Sequence, residues 1–294
     1  MERLKSMRKP LLCLLLTLAA PAVLASGGEG EAWLERVSER SVGYVYNATV
    51  VLTSGPELAV IRVSQSLQEG KLQQTFVTLT GKPQTLITAE GVVQRDRGAG
   101  PPEYLESPLA AGSLQKLDLE AIGRSYRVLL GSSDRVAGRP VRQVHFQPVD
   151  DFRYARHAWI DNETGLALRS AVVAGDQVLE QMVIADLQLS GAARSALPET
   201  ANRPDASVWP GPAVPGYELR AMVGGAAHRH WLFSDGLGAI SVFAEQVDEV
   251  RPDERWARGA TQGLTRSVAG MRWTVLGEAP TSALEAFLPS PPSS

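Results

Sequence analysis

The sequence predicts a mainly β protein of the α+β kind, in which a large curved antiparallel sheet or open barrel is followed by a smaller β unit. Three observations carry that expectation. Runs rich in Val, Ile, Thr and Leu recur from Tyr44 onward, separated by short turn signals, as successive antiparallel strands require. Segments of helical period are few and short. The 294 residues exceed what one core commonly serves, and a proline-rich break near residue 200 offers a place for two domains to part.

Residues 1–25 read as a signal peptide. Arg3, Lys5, Arg8 and Lys9 form a basic start, Leu11 to Ala20 an apolar run too short to span a bilayer, and Val23-Leu24-Ala25 a small-residue cleavage site. Export follows, with cleavage after Ala25. Cys13 lies inside the apolar run, without the small residue before it that a lipoprotein site needs. The chain beyond it therefore offers no disulfide, thiolate nucleophile or thiolate metal site. Removing Glu2 and the four basic residues takes 29 basic and 32 acidic side chains to 25 and 31, a net charge of −6. That acidity argues against nucleic acid as a partner.

The large unit is expected over 26–190. Glu31 to Val42 puts Trp33, Leu34 and Val37 on one helical face. Strands follow at Val45–Thr53, Leu58–Ser66, Leu72–Thr80 and Gln84–Gln94, separated by Ser54-Gly55-Pro56, Glu69-Gly70 and Gly81-Lys82-Pro83. A polar stretch from Arg97 to Glu103 interrupts them, and Leu114 to Ile122 has helical character. Strands resume at Tyr126–Leu130, Val141–Gln147, Phe152–Ile160, Leu166–Val173 and Val178–Leu189. Residues 191–216 carry prolines at 198, 204, 210, 212 and 215 and read as a linker, from which Trp209 is expected to dock on a domain. The small unit spans 217–288, with strands at Tyr217–Val223, Trp231–Ser234, Ile240–Gln246, Leu264–Val268 and Arg272–Leu276. Ser282 and Glu285 suggest a capping box opening a last helix that buries Leu284 and Leu288. Residues 289–294 read as a disordered tail.

Each cluster of reactive side chains also has an ordinary structural reading. His157 has Asp150, Asp151 and Asp161 near it in sequence but no nucleophile motif, which favours a partly exposed strand histidine. Ser234-Asp235-Gly236 lacks the full Gly-x-Ser-x-Gly elbow and any βαβ context, so a strand-ending turn is the better reading. His228 and His230 share a strand face but lack a third ligand at recognisable spacing. Arginines at 135, 139, 142, 153, 156 and 169 could meet an acidic peptide or lipid phosphates. Interleaved with Asp134, Asp150, Asp151, Asp161 and Glu163, they read as a solvated face. No catalytic, cofactor or metal site is expected, and Asn47 and Asn162 match a sequon that is common by chance.

Several stretches in order resemble one known family. Arg135-Val136-Ala137-Gly138-Arg139 leads to Pro148-x-Asp150-x-x-Arg153-Tyr154, Trp159-x-Asp161 and Thr164-Gly165-Leu166. Trp209 with Pro215-Gly216-Tyr217 follows, then Phe233-Ser234-Asp235-Gly236-Leu237, Ser241-Val242-Phe243 and Thr274-Val275-x-Gly277-Glu278-x-Pro280. The series is similar to the MucB/RseB proteins, periplasmic negative regulators of the envelope-stress sigma factor. That resemblance implies a half-barrel like the lipoprotein carriers LolA and LolB, with covering helices, and a small C-terminal β domain. It implies binding to the periplasmic domain of a membrane-spanning anti-sigma factor of the RseA/MucA kind. That factor would be shielded from stepwise proteolysis until lipid or lipopolysaccharide enters the half-barrel.

Under that resemblance the expected partner-binding residues are Trp231, Phe233, Asp235, Leu237 and Phe243, chosen because buried aromatics make good anchors. The expected lipid-cavity residues are Phe152, Tyr154, Trp159 and Leu168. A lipid or lipoprotein carrier without a regulatory partner is the alternative, and a hydrolase built on Ser234 a third. Homo-oligomerisation stays open.

Overall fold

The computed structural model describes residues 27–40, 43–89, 92–97, 117–193, 205–225, 227–249 and 251–289. The expected signal peptide, most of the polar stretch after Arg97 and the end of the tail lie outside them.

Ten antiparallel strands build the first sheet: β1 (Gly43–Ser54), β2 (Glu57–Gln68), β3 (Lys71–Thr78), β4 (Thr85–Ala89), β5 (Val92–Arg97), β6 (Tyr126–Val136), β7 (Arg139–Pro148), β8 (Ala155–Asp161), β9 (Ala167–Ala174) and β10 (Gln177–Ala193). Their order is β5-β4-β3-β2-β1-β10-β9-β8-β7-β6, so two meanders meet where β1 pairs β10. Tight reversals set the register. Glu69-Gly70 and Ala137-Gly138 have positive φ at both central residues, as type I′ hairpins require. The single strand expected over Gln84–Gln94 is two, because the chain reverses between Ala89 and Val92, which pair directly.

Alternation gives this sheet two faces. Tyr46, Val50, Ile61, Val63, Phe76, Val141, Trp159, Leu168, Ala171, Met182 and Ile184 cluster on one. Tyr126, Val128, Val144, Phe146, Ala158 and Ile160 lie on the other, beneath Leu34 and Val37 of helix α1 (Gly27–Arg40) and Ile122 of α2 (Leu119–Ser125). Helix α1 starts four residues before the expected one. α2 is capped by Asp118, whose Oδ1 accepts the Ala121 N–H at 2.9 Å.

The second sheet comprises β11 (Glu218–Gly224), β12 (His228–Ser234), β13 (Ala239–Gln246), β14 (Glu254–Arg258), β15 (Thr261–Val268) and β16 (Met271–Gly277), ordered β11-β12-β13-β16-β15-β14. Strand β14 was not foreseen; its five residues are all exposed and mostly charged, which hides the strand period. Helix α3 (Thr281–Phe287) lays Leu284 and Phe287 on Trp231, Phe233, Ile240 and Val275. The expected capping box does not form. Pro280 occupies the cap position, no side chain caps the helix, and Ser282 Oγ donates instead to Asp151 O at 3.4 Å. Trp209 docks here, its ring 5.1 Å from those of Trp231 and Phe233, and Trp231 Nε1 donates to Val208 O at 3.1 Å.

Gly30 is the closest approach of α1 to the sheet: a Cβ there would stand 1.9 Å from Val128 O. Gly30→Ala should therefore destabilise the protein by about 1–3 kcal/mol, although alanine is the better helix former by about 1 kcal/mol. Urea unfolding monitored by tryptophan fluorescence measures the change.

Candidate functional site

Strand β8 was expected to start at Phe152 but starts at Ala155. Asp150 Oδ1 accepts the Phe152 N–H at 3.0 Å, folding Phe152 to Tyr154 into a turn that faces the second domain. That turn is one half of a seam between the two sheets.

The other half is the Ser234–Gly238 loop joining β12 to β13. Asp235 is 1% exposed. Its Oδ1 accepts the N–H groups of Leu237 at 3.0 Å and Gly238 at 2.7 Å, and its Oδ2 accepts Tyr126 Oη at 2.7 Å. Arg153, 3% exposed, brings Nε to 3.8 Å from Asp235 Oδ2 and Nη2 to 3.2 Å from Asp150. The same Nη2 donates to Pro215 O at 2.5 Å, and the guanidinium lies 5.1 Å from the Tyr217 ring. Gly236 makes the loop possible. Its φ is +98°, and a Cβ there would lie 2.8 Å from Ile122 Cγ1. Leu237 is then inserted, fully buried, among the core residues of the first domain. Burial, followed by the charge of Asp235, pushes the Tyr126 and Tyr217 hydroxyls well above the ordinary tyrosine range.

A second contact lies further along. Arg156, 2% exposed, pairs through Nη2 with Glu278 Oε2 at 2.8 Å. Burial opposes the charge of Arg156, but Glu278 holds its pKa above the ordinary value. The pairing falls short of hydrogen-bond geometry: Arg156 Nε and Glu278 Oε2 are both buried without a hydrogen-bond partner. Glu180 Oε1 accepts Ser54 Oγ at 2.9 Å and the Ala260 N–H at 3.0 Å. Burial, then the charge of Glu278, raises the Glu180 carboxyl. Gln262 Nε2 donates to Tyr154 Oη at 2.5 Å, and Arg258 pairs with Glu57 at the rim. Between these groups opens a cleft of about 120 Å³, lined by Leu52, Leu58, Met182, Arg156, Glu180 and Glu278 among others.

The residues expected from sequence divide among several places. Phe152 and Tyr154 belong to the seam, whereas Trp159 and Leu168 lie on the other face of the large sheet. There the Arg169 guanidinium rests 4.0 Å from the Trp159 ring and donates to Gln181 Oε1. His157 packs at 4.3 Å from its cross-strand neighbour His145. Burial, then His145 and Arg169, pushes its pKa down to about 4. Asp161 is occupied elsewhere, accepting from Arg139 Nε at 2.5 Å and from the N–H groups of Glu163 and Thr164 in the β8–β9 turn.

Trp231 and Phe233 are buried in the core of the small domain. Phe243 is half-buried and stacks on His230 at 4.2 Å. Ser234 Oγ donates to Gly238 O at 2.8 Å and accepts the Gly236 N–H, the geometry of a turn. Among the described residues no group of three metal-ligating side chains forms.

Reading the arginines as one solvated face misplaces two of them. Arg153 and Arg156 are buried, each facing a carboxylate of the small domain, Asp235 and Glu278. For Arg156 the sequence carries a signal: period-two alternation puts it on the face of Ala158 and Ile160.

The model of the MucB/RseB N-terminal domain matches residues 29–203, and that of the MucB/RseB C-terminal domain matches residues 213–290. Among curated proteins, the sigma-E factor regulatory protein RseB of Haemophilus influenzae is 24% identical over 85% of this chain and 86% of its own length. The sigma factor AlgU regulatory protein MucB of Pseudomonas aeruginosa is 25% identical over 95% and 96%. The solved Pseudomonas aeruginosa MucA/MucB complex superposes with a TM-score of 0.69 at 23% identity, covering 90% of this chain and all of the matched one.

Two outcomes follow from the seam and its neighbours. Asp235→Ala leaves Arg153 and Tyr126 without their shared acceptor and should cost about 3–5 kcal/mol in urea unfolding. Because the His157 pKa falls from 6.5 to about 4 on folding, its contribution to stability is complete above pH 6.5 and is lost as pH falls toward 4. His157→Gln should flatten the stability profile over that interval, as followed by unfolding at stepped pH.

Proposed function

The chain belongs to the MucB/RseB family, and from that premise we propose that it is a non-enzymatic periplasmic regulator of an envelope-stress sigma factor. It binds the periplasmic domain of a membrane-spanning anti-sigma factor and shields that domain from regulated proteolysis, which keeps the sigma factor silent. Lipid or lipopolysaccharide on the apolar face of the large sheet releases it. The observation that carries this reading is the match of both family models, in order, to the two sheets that the buried seam joins. The Pseudomonas aeruginosa relative solved with MucA supports the choice of partner.

The physics is a competition between two domain arrangements. A ligand releases the partner only if it prefers the arrangement that the partner does not bind. A thousandfold preference corresponds to about 4 kcal/mol, comparable to breaking one buried ion pair of the kind found at the seam. A polar interdomain contact of this sort suits domains that reorient.

Titrating residues 26–294 with the anti-sigma factor's periplasmic domain, with and without lipopolysaccharide, tests the proposal. The expected result is saturable binding that lipopolysaccharide weakens, together with slower cleavage of the bound domain by its protease. No binding at micromolar concentrations would overturn it.

A further inference from the structure

The cleft holds three carboxylates, Glu57, Glu180 and Glu278, against two guanidinium groups, Arg156 and Arg258. Arg156 is paired with Glu278 and Arg258 with Glu57. Glu180 receives only neutral donors, the Ser54 hydroxyl and the Ala260 N–H, both on Oε1. These five charges sum to −1, and Glu180, which the charge of Arg156 favours and that of Glu278 opposes, has no ion pair of its own among the described residues. The walls beside it are apolar, formed by Leu52, Leu58, Val172 and Met182, and Leu58 at the mouth is 60% exposed. The space, about 120 Å³, suits a side chain rather than a whole ligand. A hard metal ion is a poor occupant, since such ions take six or more oxygen ligands and no cluster of three ligating groups forms among the described residues. Arg156 adds a complementary feature. Its side chain is 3% exposed and lines the cleft, and its Nε is a buried donor without an acceptor.

We propose that the cleft is a pocket for one basic side chain, the ammonium or guanidinium of a lysine or arginine in an extended segment of the bound polypeptide. The cation neutralises Glu180, and its methylene stem lies along Leu52, Leu58 and Met182. That the polypeptide is the anti-sigma factor rests on the regulator reading above; the chemistry of the pocket does not. The raised pKa of Glu180 agrees with this assignment, because burial beside Glu278 is what an incoming cation relieves.

Glu180→Gln tests the pocket with little change of shape, since the amide oxygen can still accept from Ser54 and Ala260. In the full mature chain it should weaken binding of the anti-sigma periplasmic domain about tenfold and lower its salt dependence, while the melting temperature holds or rises. One Lys→Gln or Arg→Gln variant of the partner should lose the same affinity and show no further loss against Glu180→Gln. Equal partner binding by wild type and Glu180→Gln would overturn the pocket and leave the regulator reading intact. A second arm needs no partner. The peptide acetyl-Leu-Lys-Leu-amide should lower the titration midpoint of the Glu180 carboxyl, read by carbon-13 NMR, and its norleucine counterpart should not. If the partner fails to bind, the regulator reading falls and this arm alone decides. Identical effects of the two peptides overturn the pocket.

Discussion

A guanidinium stripped of water needs a carboxylate, and that requirement organises this molecule. Arg153 sits in the turn before β8 and Arg156 near the start of β8, both almost completely buried. Arg153 keeps one acid of its own domain, Asp150, and reaches toward Asp235 of the other; Arg156 depends on Glu278, also of the other. Arg156 could not be dehydrated in the first domain without Glu278, because leaving such a charge unpaired costs several kcal/mol. The docking of the small sheet on the large one and the burial of these two side chains are one event.

The seam is specific without being tight. Its ion pairs are imperfect: Arg153 Nε and Nη1 and Arg156 Nε are buried without hydrogen-bond partners. Each such atom withholds stability that water would restore if the domains parted. The apolar part of the seam comprises Leu237 in the first domain's core, Phe152 against the core of the second, and Tyr154 with Val172 on Ala260.

Much of the frame is legible in the sequence because it rests on local rules. The β8–β9 turn falls between the expected strands Phe152–Ile160 and Leu166–Val173, with Asp161 Oδ1 gathering the turn's N–H groups and Gly165 at φ +70°. Trp209 docks because a tryptophan in a linker seeks cover. What escapes local reading depends on the other domain. Phe152 to Tyr154 look like strand by composition, yet leave the sheet to meet Tyr217, whose hydroxyl donates to Phe152 O, and Gln262. Ser282 has the sequence of a helix cap and is diverted to Asp151 O across the seam. Arg156 alternates onto an apolar face, and only Glu278, more than a hundred residues away, explains why.

If the docked seam is the arrangement that the partner recognises and lipid disfavours, a distance across it should report the switch. The absence of cysteine beyond residue 13 allows spin labels at Val178→Cys in β10 and Val223→Cys in β11, both exposed positions. Pulsed electron–electron distance measurements would then compare the free protein, the protein with the anti-sigma periplasmic domain, and the protein with lipopolysaccharide. One narrow distance distribution is expected with the partner bound, and a second, displaced population with the lipid. A distribution that is the same in all three states would contradict it.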